Sequence, residues 1–135
     1  MEPIREVYVV LENKPGTAGQ MFRVLKKKRI SVYAVAMFID FARLVVSDAD
    51  KAVAALQEHG YQVESRTVLR VQLVNRAGAL MEFTQKLGNA GINIDYLYGS
   101  LHEKEKKGTI IVEVDQPELA MKLFENDKLV ESKQA

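Results

Sequence analysis

Two short stretches combine residue types that can hold a small charged molecule: NKPGTA, Asn13 to Ala18, and NRAGAL, Asn75 to Leu80. In both, an Asn stands three residues before a Gly, between an apolar run and a segment of helical periodicity. The Asn amide offers donors and an acceptor. The Gly allows backbone conformations closed to other residues and lets another molecule approach the main chain. The N–H groups that begin a helix have no intrahelical partner and sit at the positive end of its dipole, so a carboxylate fits there. Asn93, at the start of the next apolar stretch in GINIDYLYG, flanks the same helix start if its strand neighbours the first. Donors for a carboxylate beside acceptors for an ammonium describe a site for an α-amino acid.

Each of these residues also has a plainer reading. Asn13 and Asn75 suit turns through their own side chains without any ligand, and Gly16 and Gly78 serve the turn in either case. Asp95 either meets a ligand ammonium or projects to solvent. Tyr96 and Tyr98 share one strand face by the period of two, where packing is the default. His59 and His102 fall at a helix end and in a loop, without a partner for acid–base work. Arg76 and Asn93 superficially match the phosphate-holding pair of an acylphosphatase-like hydrolase, but NRAGAL lacks the glycine-rich phosphate cradle. With no metal-ligand spacing, P-loop or nucleophile elbow, neither an intrinsic enzyme activity nor a cofactor or metal is expected.

The elements that must position these residues occur twice. An offset of 62 residues aligns Val9 with Val71, Asn13 with Asn75, Gly16 with Gly78, Leu25 with Leu87 and Ile30 with Ile92 without a gap. Past Val35 and Leu97 the offset becomes 67, aligning Val45 with Val112 and Leu56 with Leu123. The added residues fall in SLHEKEKKG, a polar stretch suited to a longer hairpin loop. Val7, Val9 and Leu11 alternate with polar or outward positions as a strand, as do Leu69, Val71 and Leu73. Ala18, Met21, Phe22 and Leu25 then recur at helical spacing, matched by Leu80, Phe83 and Leu87.

Ile30 to Ile39 with Arg43 to Ser47 predict a hairpin, repeated as Ile92 to Tyr98 with Thr109 to Val114. Second helices start at DADK, capped by Asp48 or Asp50, and at DQPE, capped by Asp115 with Pro117 in the first turn. Gln62 to Thr67 supplies a last strand in the first copy and KLVES, near the C-terminus, a weaker one in the second. The unit reads βαββαβ, so the expected fold is α+β: two tandem ferredoxin-like units over residues 1–67 and 68–135, each an antiparallel sheet with both helices on one face. Units this small sit near the lower limit of independent stability. Close association of the halves and a homodimer are therefore expected.

Composition narrows the class. In 135 residues, 47% hydrophobic and 27% charged is ordinary for a globular protein. The absence of Cys excludes disulfides and thiolate chemistry and fits a cytoplasmic location. No signal peptide or membrane-length apolar run is read, and a net charge of +1 gives no general attraction to nucleic acid or anionic lipid. The clusters KKKR and EKEKK read as a solvated helix end and a hairpin tip.

The segments LENKPGTAGQMFRVL with ISVYAVAM, and LVNRAGALMEFTQKLGNAGINIDYLYG, resemble the strand, Asn-x-Pro-Gly turn, helix and second strand of the ACT domain family, small-molecule-binding regulatory modules. The resemblance covers nearly the whole chain as two copies and is particularly close to small stand-alone bacterial proteins with two ACT domains. It implies a non-catalytic sensor that binds a free amino acid at interfaces between ACT units, and an enzyme partner that it regulates. Carried over by position, Asn75, Gly78, Ala79, Leu80 and Asn93 are the ligand-binding candidates, with Asp95 beside them and Asn13, Gly16 and Thr17 as first-copy equivalents. Ser31 replaces Asn93 in the first copy, Ala77 replaces Pro15 in the second, and Leu11 and Leu73 stand where some serine-binding members carry a His. The second copy is the expected principal site. The competing reading is a protein-interaction or assembly module without a ligand, using exposed strand edges or the face of Tyr8 and Val10.

Overall fold

The computed structural model describes residues 1–131. The chain divides into two compact units, one of Arg5–Arg66 and one of Thr67 onward together with Met1–Ile4. In the first unit, β1 (Glu2–Val10) leads into α1 (Thr17–Lys27), the hairpin β2 (Val32–Met37) and β3 (Phe41–Val46), α2 (Ala49–Glu58) and the start of β4 (Val63–Val74). Its strands are ordered β2-β3-β1-β4. β3 pairs antiparallel with β1, Val7 opposite Leu44 and Val9 opposite Ala42. Strand alternation sends Val7, Val9, Ala42 and Leu44 to one face, where they meet Met21 and Leu25 of α1 and Leu56 of α2 in a single core. Asp48 caps α2, its carboxylate accepting from the Lys51 N–H at 3.0 Å, as its position before the helical run predicts.

The second unit repeats the order: β4, α3 (Ala79–Asn89), β5 (Ile94–Ser100), β6 (Lys107–Val114) and α4 (Pro117–Leu123). The strands lie β4-β6-β5, with Val71 opposite Ile110 and Leu97 opposite Val112. Leu69, Val71, Leu73, Phe83, Leu87 and Val112 form the core. There Phe83 packs against Phe124 with ring centroids 4.9 Å apart.

The two tandem βαββαβ units are those the repeat predicts, with three local differences. Gln62 to Thr67 and Leu69 to Leu73, read as separate strands, are one twelve-residue strand, β4. Nothing between Thr67 and Val68 can turn the chain, and the change of unit falls inside the strand. Asp115 is not the cap of α4: Gln116 holds that position without a side-chain bond, while the Asp115 carboxylate accepts from the Asn93 N–H at 2.9 Å. The last strand of the second copy shrinks to a bridge between Leu73 and Val130, supported by Val74 N–H to Leu129 O at 3.0 Å and Glu131 N–H to Gln72 O at 2.9 Å. Ser132 of KLVES lies outside the described residues.

Candidate functional site

The two turns adopt the same geometry. Gly16 and Gly78 occupy the position before α1 and α3 with φ of 89° and 88°, in the left-handed region that costs other residues about 1–2 kcal/mol. In each, the first helical residue closes the turn: Thr17 N–H bonds Lys14 O at 3.3 Å, and Ala79 N–H bonds Arg76 O at 3.1 Å. The Thr17 hydroxyl adds bonds to the carbonyls of Glu12 at 2.8 Å and Lys14 at 3.1 Å. Asn13 and Gly16 are exposed, Ala79 is buried, and Leu80 is exposed at the helix start.

Asn75 anchors the loop between β5 and β6. Its Nδ2 donates to the carbonyls of His102 at 2.6 Å and Glu105 at 2.7 Å. The side chain therefore does the turn-shaping work of the plainer reading, leaving Oδ1 as its acceptor. Asn93 donates through Nδ2 to Asp95 at 3.0 Å.

The structure does not bring Asn75 and Asn93 together within the unit. β6 lies between β4 and β5. The Asn75 N–H bonds Lys106 O just before β6 starts, and Asp115 N–H bonds Asn93 O just after β6 ends. The eight residues of β6 separate them by about 25 Å at the usual strand rise. Arg76 is parted from Asn93 in the same way, so the acylphosphatase-like pair is not assembled within the unit.

Beside each turn lies a cleft that periodicity did not single out. In the second unit a cleft of about 340 Å³ is walled by Val74, Arg76, Glu82, Lys86, Asp127 and Leu129. In the first unit a cleft of about 440 Å³ opens between Glu12, Thr17, Gln20, Gly60, Tyr61 and Gln62. At the repeat offsets of 62 and 67, Glu82 corresponds to Gln20, Asp127 to Gly60 and Leu129 to Gln62. The clefts are thus one place in the fold with different chemistry.

Ion pairs line the second-unit cleft. Arg76 donates to Glu82 across the Gly78 turn, and Lys86 donates to Asp127 at 2.6 Å. The Glu82 hydrogen bond raises Arg76 further above its already high value. The Lys86 hydrogen bond, aided by the Leu129 N–H, holds the Asp127 carboxyl below the ordinary aspartate value against a smaller opposing effect of burial. In the first unit Gln20 and Gly60 supply no charges, and Lys14 pairs with Glu12 at 2.9 Å on the strand side of the turn. That carboxylate raises Lys14 above the usual lysine range, first by hydrogen bonding and then by charge attraction. The visible sequence signal was the charge pattern at Arg76, Glu82 and Lys86, but its partner Asp127 is forty-one residues past Lys86.

Among the described residues no group of three His, Cys, Asp or Glu is placed to hold a metal ion, and no helix is long and apolar enough to cross a membrane. At each turn the first helical N–H is engaged within the turn, and polar side chains wall the cleft beside it.

Comparison with known proteins gives the same architecture. Protein BT0572 from Bacteroides thetaiotaomicron is similar over 95% of this chain and 90% of its own, at 26% identity and a TM-score of 0.83. The ligand-free regulatory subunit of aspartate kinase from Thermus thermophilus matches 91% of this chain and 95% of its own, at 17% identity and a TM-score of 0.64. Escherichia coli aspartokinase III in complex with lysine and aspartate matches 93% of this chain and 31% of its own longer chain, at 14% identity and a TM-score of 0.61. No curated protein matches the chain. The family model for an ACT domain pair matches residues 2–134, and with the turn–helix unit present twice, the chain belongs to that family, as a pair of ACT domains.

Proposed function

We propose that this ACT domain pair is a non-catalytic regulatory module that binds a free amino acid at its strand–turn–helix segments and passes the signal to a partner enzyme in the cytoplasm. The observation that carries this reading is the duplicated turn, where Gly16 and Gly78 at φ of 89° and 88° start a helix beside a polar cleft. The ligand carboxylate sits on main-chain donors flanking the residues whose own N–H groups close the turns, those of Gly78 and Leu80 about Ala79 in the second unit and that of Gly16 beside Thr17 in the first. Asn75 contributes through Oδ1, because its Nδ2 is bonded to the 101–106 loop. Since Asn75 and Asn93 occupy opposite ends of their sheet, Asn93 and Asp95 serve a ligand held by the turn of a second copy of the chain, in a homodimer. A ligand bound between copies couples occupancy to their packing, because binding favours whichever packing it fits better.

The similarity to lysine- and aspartate-bound aspartokinase III puts those two amino acids first among candidates. The test is thermal unfolding against each common amino acid at millimolar concentration. A ligand at ~100 times its dissociation constant adds about 2.7 kcal/mol, a shift of several degrees. A shift confined to one or a few amino acids and lost in Asn93→Ala is expected. No shift with any of them would remove the sensor reading in favour of an interaction module.

A further inference from the structure

Arg23 and Lys27 stand four residues apart on one face of α1, with Gln20 three residues before them. With the buried Val24 they line a cleft of about 240 Å³ whose other wall is His59 and the half-buried Tyr61. No carboxylate lines this cleft, and neither Arg23 nor Lys27 has an acidic partner among the described residues. Five of the seven arginines, Arg5, Arg43, Arg66, Arg70 and Arg76, do pair with a carboxylate, so the unpaired Arg23 departs from the habit of the chain. The helix dipole accounts for cations in the last turn, Lys26 and Lys27, but its effect fades before Arg23. Like charges four apart on a helix repel, and an anion between them removes that cost. His59 Nδ1 donates to the Ala55 carbonyl at 2.9 Å, which fixes the ring as a wall of the cleft. The second unit does not carry this set: at the offsets of 62 and 67, Gln85, Asn89, Asn126 and Lys128 stand where Arg23, Lys27, His59 and Tyr61 do.

We infer that this cleft of the first unit binds a dianionic phosphate group, that of a small phosphate monoester or of inorganic phosphate. Two unpaired positive charges match the charge of about −1.5 to −2 that a phosphate monoester carries near neutrality, whereas a carboxylate brings a single charge. The planar fork of Arg23 takes two oxygens and Lys27 adds a point charge. The Gln20 amide and the Tyr61 hydroxyl supply further donors. Gln20, His59 and Tyr61 also wall the cleft beside the Gly16 turn, so the bound phosphate lies next to the first unit's candidate amino-acid site without using its main-chain donors.

The experiment is isothermal titration of the full chain with glycerol 3-phosphate and, separately, with inorganic phosphate, at physiological salt and with no amino acid present. It compares wild type, Arg23→Gln with Lys27→Gln, and Lys26→Gln with Lys28→Gln; thermal midpoints of the free proteins check folding. The last pair removes the same charge from the same end of α1 at side chains that do not line the cleft. Saturable binding at a single site is expected in wild type and in the Lys26 and Lys28 variant, weakened at least about tenfold in the Arg23 and Lys27 variant. Equal affinity for the two probes assigns the site to free phosphate, and tighter glycerol 3-phosphate assigns it to a phosphorylated metabolite. No saturable binding of either probe, or the same loss in both variants, overturns the proposal. Because no amino acid enters the titration, that result leaves the amino-acid reading standing.

Discussion

The Asn75 side chain, at the start of the candidate turn, reaches across to the His102 carbonyl at 2.6 Å and ties the turn to the loop that joins β5 to β6. Because Nδ2 also serves Glu105 O at 2.7 Å, replacing Asn75 affects the fold as well as any ligand. Asn75→Ala is expected to cost about 1 kcal/mol, the usual net value of an exposed hydrogen-bonded side chain. Asn75→Asp costs more, since a carboxylate then faces two carbonyl oxygens. Urea denaturation checks both; equal stability of all three proteins would detach the loop from Asn75.

Gly78→Ala tests the turn itself. At φ of 88° a Cβ costs about 1–2 kcal/mol, although the nearest atom to that Cβ, Glu82 Oε2, is 3.8 Å away. The penalty is therefore conformational, and Gly78→Asn should lose less, because Asn tolerates the left-handed region better. A stability order with Asn below Ala, read from thermal midpoints, would contradict this assignment.

Gly99→Ala tests close approach instead. Its Cβ would collide with the Thr109 carbonyl and lie 2.8 Å from Ile110 Cα, both main-chain atoms that cannot swing away. A loss above about 1 kcal/mol is expected, with hydrogen exchange accelerated most in β5 and β6. Exchange rising evenly over the whole chain would argue against a local clash.

Phe83→Ala should be the costliest of these changes. The ring is wholly buried and packs on Phe124, so about 3–5 kcal/mol is expected. Chemical denaturation measures it. A loss under about 1 kcal/mol would mean that the core repacks around the gap.

Acid should weaken the second-unit cleft in a defined direction. Asp127 titrates lower when folded than unfolded, first because Lys86 donates to it. Its stabilising contribution is therefore complete above the unfolded aspartate value of about 3.9 and lost as pH falls through the lower folded value. Lys86→Met should flatten that part of the stability–pH curve while leaving the slope near neutrality unchanged. An acid limb as steep as in wild type would place the titration elsewhere.

Sequence alone determined the repeat, the glycine turns and the identity of the core. Those follow from local rules: period two at Val7 and Val9, helical spacing at Met21 and Leu25, and a Gly at positions 16 and 78, where the backbone turns left-handed before a helix. Tertiary structure alone decided which chain ends meet. Their spacing makes Asn75 and Asn93 candidates for one pocket, but β6, antiparallel between β4 and β5, sets them at opposite ends. Asp115, read as a cap, instead accepts from Asn93 N–H because the β5–β6 register brings them level. Lys86 meets Asp127 only after α4 returns the chain to the cleft. Such pairings depend on strand order and long-range return, which local periodicity does not carry; it reports which face a residue occupies, and packing decides what stands opposite.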